Sequence, residues 1–214
     1  MTIKTFQVNP LGENCYVLSD DTREAVIIDC GCSAESEWSD IKKYIAKSDL
    51  TVKHLLNTHL HFDHVWGNAF VYRDLGLKAE ASHLDATLYA NMDAQIYSVA
   101  GVNLPHPPSP PLGQALREGD VITFGHTSLM VMSTPGHTQG SVCFYAEKEK
   151  ALFSGDTLFR NSYGRTDLDG GSMSQMMGSL RRLASLPDDV AVYCGHGPST
   201  DMHSEKMFNP YLPL

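Results

Sequence analysis

No apolar run in this 214-residue chain approaches the ~20 residues that a membrane-spanning helix needs. The first residues, Met1-Thr2-Ile3-Lys4-Thr5-Phe6, lack the long apolar stretch and small-residue cleavage site of a secretory leader. Basic tracks are missing too: adjacent Lys/Arg residues occur only as the pairs Lys42-Lys43 and Arg181-Arg182, and the net charge is −9. Nucleic acid would be repelled at long range, and no basic stripe offsets that. The five cysteines are an odd number, and none forms a two-residue-spaced Cys pair. Cys15, Cys143 and Cys194 sit in apolar contexts where a free thiol packs as a small hydrophobe. Cys30-Gly31-Cys32 has the wrong gap for a zinc ribbon or a thioredoxin-like motif and reads as structural. No linker or low-complexity segment divides the chain. These absences lead to an expectation of a cytoplasmic protein with no membrane and no nucleic-acid partner.

What is present is concentrated. Thr58-His59-Leu60-His61-Phe62-Asp63-His64 packs three imidazoles and a carboxylate into six positions. A short apolar run, Val52 to Asn57, precedes the cluster, and a helical run from Val65 to Leu75 follows it and ends at Gly76. The cluster therefore lies where a strand stops and a helix begins, a usual place for a site in a layered α/β protein. Three more strand-like runs end the same way. Leu129 to Met132 leads to Pro135-Gly136-His137-Thr138, Ala151 to Phe153 leads to Ser154-Gly155-Asp156-Thr157, and Val190 to Cys194 leads to Gly195-His196-Gly197-Pro198. A glycine beside each His or Asp allows a tight turn that aims the side chain at one point.

This H-x-H-x-D-H element, followed by a distant His, Asp and His, resembles the signature of the metallo-β-lactamase superfamily. Gly155-Asp156-Thr157-Leu158-Phe159, Gly164-Arg165 and Tyr193-Cys194-Gly195-His196 make it most similar to short, single-domain relatives of glyoxalase II. The resemblance implies that His59, His61 and His137 hold one metal. It assigns Asp63, His64 and His196 to a second, with Asp156 and a nucleophilic hydroxide bridging the two. His54, His83, His106, His126 and His203 match no ligand position. The implied fold is α/β, a four-layer αββα sandwich, here one domain over residues 1–214 built of two similar halves, about 1–115 and 116–214.

The pattern along the chain is consistent with that fold. Residues 2–8, 14–20, 24–30 and 52–57 read as strands, and 34–47 as an amphipathic helix with Trp38, Ile41 and Ile45 on one face. A second series follows: strands at 120–124, 127–133, 141–146 and 150–154, a helix at about 172–185, and a strand at 190–194. Residues 98–113, rich in proline and glycine, read as a loop beside the site or as a rigid connection. Tyr97 and His106 are its expected substrate contacts.

Nitrogen and carboxylate donors without thiolate suit two divalent ions, with zinc the default and iron or manganese as alternatives. Asp63 and Asp156 are the carboxylates expected to matter in catalysis. Departure of an amide or alkoxide needs a proton donor, and none is obvious outside the ligand set. A thiolate leaves unaided, because thiol pKa values lie near ~8.5. The expected partner is thus a small-molecule thioester, hydrolysed as by glyoxalase II, and the protein is expected to be a monomer or weak homo-oligomer. Of the family's glutathione contacts only Arg165 carries over. Asp167 replaces a tyrosine and Gly197-Pro198 interrupts the G-H-E-Y-T motif; the helical C-terminal domain of the long enzymes is not expected. The rival readings are a mononuclear iron persulfide dioxygenase and a metal-binding protein with a relic site.

Overall fold

Short apolar strands separated by turns form two sheets in the computed structural model, which describes residues 1–212. The chain divides into two compact units. The first comprises Met1–Ala115 with the turn Phe124–Thr127, and the second Leu116–Thr123 with the chain from Ser128 onward.

The first unit runs β1 (Thr2–Val8), β2 (Glu13–Ser19), β3 (Glu24–Ile28), α1 (Glu35–Lys47), β4 (Thr51–Leu56), α2 (Phe62–Val65), α3 (Asn68–Leu75), β5 (Ala79–Glu80), α4 (Ala86–Ala90) and α5 (Met92–Ala100). Its sheet has the order β1-β2-β3-β4-β5, antiparallel from β1 to β3 and parallel from β3 to β5. Every residue of β2 is buried, as expected of a strand covered on both faces. Trp38, Ile41 and Ile45, at helical spacing on α1, pack on Val17, Ile27 and Leu55. The start of α1 is held by Glu37, whose carboxylate accepts from the amides of Ser33 (2.7 Å), Ala34 (3.2 Å) and Asn9 (2.7 Å).

The second unit runs β6 (Val121–Phe124), β7 (Thr127–Ser133), β8 (Val142–Ala146), β9 (Ala151–Gly155), β10 (Leu158–Phe159), β11 (Ser162–Tyr163), α6 (Met173–Leu183), β12 (Ala191–Cys194), β13 (Thr200–Asp201) and α7 (Met202–Phe208). Its sheet has the order β13-β12-β9-β8-β7-β6, and β10 and β11 form a separate ribbon. Met176, Leu180 and Leu183 of α6 pack on Cys143, Leu152 and Val192 of the sheet.

The larger expected elements are present with ends shifted by at most two residues. Three differences concern the site. The helical run after the histidine cluster is two pieces, with Asp63 and His64 already on the turn α2. Gly67 separates the pieces, its amide donating to Cys30 O at 2.8 Å. Residues 98–100 belong to α5 rather than to the proline-rich loop, because the first proline, Pro105, comes after the helix has ended. The strand at 24–30 ends at Ile28, leaving Asp29 outside it at φ 52°. No helix among the described residues is long and apolar enough to cross a membrane, and all five cysteines are buried with none in a disulfide.

Candidate metal centre

Strand direction explains why donors distant in sequence gather within each unit. In the first unit β3 and β4 are parallel, so the loops that begin at Asp29 and Asn57 leave the same edge of the sheet. In the second unit β9 and β12 are parallel, and β7 runs with them because β8 is antiparallel to both neighbours. His137, Asp156 and His196 therefore leave one edge of that sheet.

Within the first unit His59, His61, Asp63 and His64 are all buried. The His59 ring lies 4.9 Å from His61 and 4.1 Å from His64, centroid to centroid. His64 Nε2 stands 3.9 Å from Asp63 Oδ2. The carboxylate of Asp29 holds the opposite edge of the His64 ring directly and reaches that of His59 through Thr58. His64 Nδ1 donates to Asp29 Oδ2 at 3.0 Å, and Thr58 Oγ1 donates to the same oxygen at 2.6 Å. Thr58 Oγ1 in turn lies 3.1 Å from His59 Nδ1. The Thr58 amide and Asn57 Nδ2 complete the shell at Asp29 Oδ1, at 2.8 and 3.3 Å. Glu13, fully buried, lies 4.0 Å from His64 Nδ1. Burial pushes its carboxyl well above the usual range, and the His64 imidazole pulls the other way.

Two backbone approaches complete this loop. Asn9 Nδ2 donates to Gly31 O (3.0 Å) and to Asp63 O (2.9 Å). A Cβ on Gly31 would meet Asp63 O at 1.9 Å, so only glycine lets the two segments touch.

Within the second unit, one oxygen of Asp156 faces two imidazoles. Asp156 Oδ2 is 3.5 Å from His137 Nε2 and 3.8 Å from His196 Nε2. His137 Nδ1 donates to Arg165 O at 2.7 Å, which fixes the tautomer and leaves Nε2 as the donor atom. The Arg165 carbonyl can reach it because Gly164 lies against Asp156 O, where a Cβ would stand 1.8 Å away. His196 is the most exposed of the three, its side chain 25% accessible.

These arrangements fit divalent ions. Separations of 3.5–3.9 Å between Nε2 and carboxylate oxygens are too long for hydrogen bonds. They are close to the roughly 3–3.5 Å between two ligands on one ion with bonds of ~2.0–2.2 Å. His64 and His137 also commit Nδ1 to an acceptor, the usual way a metal-binding imidazole is oriented.

Comparison with known proteins gives the family. The family model described as the metallo-beta-lactamase superfamily matches residues 8–196. The chain belongs to the metallo-beta-lactamase superfamily. Among its superfamily relatives is a protein named hydroxyacylglutathione hydrolase GloC, from Haemophilus influenzae. It is 32% identical, with 99% of this chain and 98% of the relative aligned. A solved structure titled BLEG-1 B3 metallo-beta-lactamase is similar over 100% of both chains, with TM-score 0.89 and 33% identity. Another, titled TTHA1623 in a di-iron-bound form, covers 98% of this chain and 100% of its own, with TM-score 0.84 and 36% identity. The expected α/β fold of the superfamily, with two sheets and flanking helices, is therefore the fold of this chain.

The remaining expected residues of this superfamily member are placed as follows. Arg165 lines an open pocket of about 370 Å³ with Ser162, Tyr163, Thr166, Asp167 and Tyr211. His106 reaches Asp93 at 3.1 Å and lines a different pocket, of about 410 Å³, with Tyr89, Met92, Pro110 and Leu112. The proline-rich loop is tied down there by Tyr89 Oη, which donates to Pro110 O at 2.9 Å. Tyr97 is 58% exposed on α5. Sequence reasoning missed Asp29, Thr58 and Glu13. The available signal was an acid directly after the apolar run Ala25–Ile28, the same pattern that marked Asp156.

Proposed function

We propose that the protein is a binuclear metal-dependent hydrolase of small hydroxyacyl thioesters. His59, His61 and His137 hold one ion, Asp63, His64 and His196 hold the other, and Asp156 serves both. The observation that carries this reading is Asp156 Oδ2, which faces His137 and His196 from between them at 3.5 and 3.8 Å. A carboxylate so placed offsets charge for two ions at once. When bound, a pair of divalent ions supplies a hydroxide nucleophile near neutral pH and polarises the substrate carbonyl. The chain's own residues supply the rest. Asp29, Thr58 and the Arg165 carbonyl hold the imidazoles so that Nε2 faces inward. His196, its side chain 25% accessible, is the most open of the proposed donors. No proton donor is needed for the departing thiolate. The relative named as a hydroxyacylglutathione hydrolase, similar along its whole length, supports the same class.

The test is metal analysis of the purified protein together with a thioester panel on several thiols. Two zinc ions per chain and turnover of hydroxyacyl thioesters are expected, and Asp156→Ala should abolish turnover and lose at least one ion. A single iron per chain with oxygen-dependent persulfide turnover would replace this reading with the dioxygenase, and metal binding without any turnover with a relic site. Because one similar structure is titled a B3 metallo-beta-lactamase, the panel includes a β-lactam. Faster β-lactam than thioester turnover would reassign the substrate.

A further inference from the structure

The pocket around Arg165 adjoins the second unit's donors through the Arg165 carbonyl, which accepts from His137 Nδ1. One side is aromatic. Tyr163 and Tyr211 meet edge to face, 4.8 Å between centroids, and Tyr163 Oη donates to Met173 Sδ at 3.7 Å. Ser162 and Thr166 add hydroxyls. The charged residues of the lining are Arg165 and Asp167, and they are spent on each other. Arg165 Nε and Nη2 donate to Asp167 Oδ1 and Oδ2 at 2.7 and 2.8 Å, a two-pronged pair. The guanidinium holds the Asp167 carboxyl down at about 2, so Asp167 is ionised throughout the neutral range.

Resting on the thioesterase reading above, we propose that Asp167 is a specificity-determining residue that selects uncharged thiol carriers and turns anionic ones away. A substrate carboxylate would bind Arg165 through the same fork that Asp167 already fills. To do so it must displace Asp167 or lie beside its negative charge, and either costs affinity only for an anionic carrier. An uncharged amide arm meets no such competition. Its methylenes can lie on the tyrosine faces while its amides bond the hydroxyls. The pair is exposed, with side chains 55% and 67% accessible, so removing Asp167 frees the guanidinium without opening the core.

The experiment compares thioesters of one hydroxyacyl group on glutathione and on N-acetylcysteamine. It uses the metal-loaded wild type, Asp167→Asn, and the double variant Asp167→Asn/Arg165→Gln. Asp167→Asn is expected to raise the ratio of kcat/KM, glutathione over N-acetylcysteamine, at least tenfold, with the change in KM. The double variant should lose that gain. Calorimetric binding of S-methylglutathione, which cannot turn over, should tighten tenfold in Asp167→Asn and relax in the double variant. An unchanged ratio and an unchanged Kd would overturn the proposal, as would a gain that survives loss of Arg165. If no thioester is hydrolysed by any form, the thioesterase reading has failed and the Kd comparison alone decides the role of Asp167. Should Asp167→Asn not fold, Asp167→Ser serves the same comparison.

Discussion

Asp29 is not among the expected metal ligands, yet it holds two of them, His64 directly and His59 through Thr58. Its Oδ2 accepts from His64 Nδ1 and from Thr58 Oγ1, and Thr58 is in contact with His59. Asn at this position keeps the shape but offers one acceptor oxygen where the carboxylate offers two. Asp29→Asn is therefore expected to lower metal affinity by about 10–100-fold, measured by competition with a chromophoric chelator. Affinity equal to the wild type would mean that the imidazoles are oriented by packing alone. Glu13 adds a buried carboxyl 4.0 Å from the same His64 nitrogen. Around His64 the fold thus gathers Glu13 and Asp29 beside the expected ligand Asp63.

At the scale of elements, the carboxyl ends of β3 and β4, and of β7, β9 and β12, deliver the donors, and helix starts brace them. Glu37 near the start of α1 binds three backbone amides, among them that of Asn9, whose side chain holds Gly31 and Asp63. Glu37→Ala leaves those amides without their acceptor and should cost about 2 kcal/mol in urea denaturation. A change under about 0.5 kcal/mol would mean that water replaces the carboxylate. On α6, Arg182 grips the Glu118 carboxylate at 2.5 and 2.7 Å and holds it below its ordinary range. A depressed carboxyl contributes stability above its unfolded pKa and loses it as pH falls through the lower folded value. The Tm difference between wild type and Arg182→Gln should thus be full at pH 7, small because the pair is half exposed, and shrink progressively below about pH 4. A difference that stayed constant to pH 2 would assign it to Ser133 O, which Arg182 also reaches at 3.2 Å.

For the molecule as a whole, the proposed donors are spread from residue 59 to residue 196, so ions held by them would bind the folded chain and not the unfolded one. Free metal at a hundred times Kd stabilises by ~2.7 kcal/mol, or roughly 5–10 °C in Tm for a chain of this size. Chelation should lower Tm by that amount, and readdition of zinc or iron should restore it. No shift on chelation would argue that the donors bind metal too weakly to matter. The net charge of −9 favours attraction of such cations and agrees with the lack of a basic track.

Family and fold class were legible in the sequence alone, together with the places along the chain where the candidate donors stand. The cluster His59, His61, Asp63 and His64 and the apolar runs that stop at His137, Asp156 or His196 beside a glycine are local patterns, so all seven could be picked out as candidates. The helices α4, α5 and α7 were not legible, because their apolar faces are short and their ends are set by neighbours. Which nitrogen His64 and His137 present follows from contacts made in the folded chain. The partners that fix it, Asp29 for His64 and the Arg165 carbonyl for His137, lie 35 and 28 residues away. The tertiary structure also decided that Asp167 and Arg165 neutralise one another. Side-chain identity can be read in sequence order, whereas orientation and pairing depend on contacts that exist only after the strands have aligned their ends.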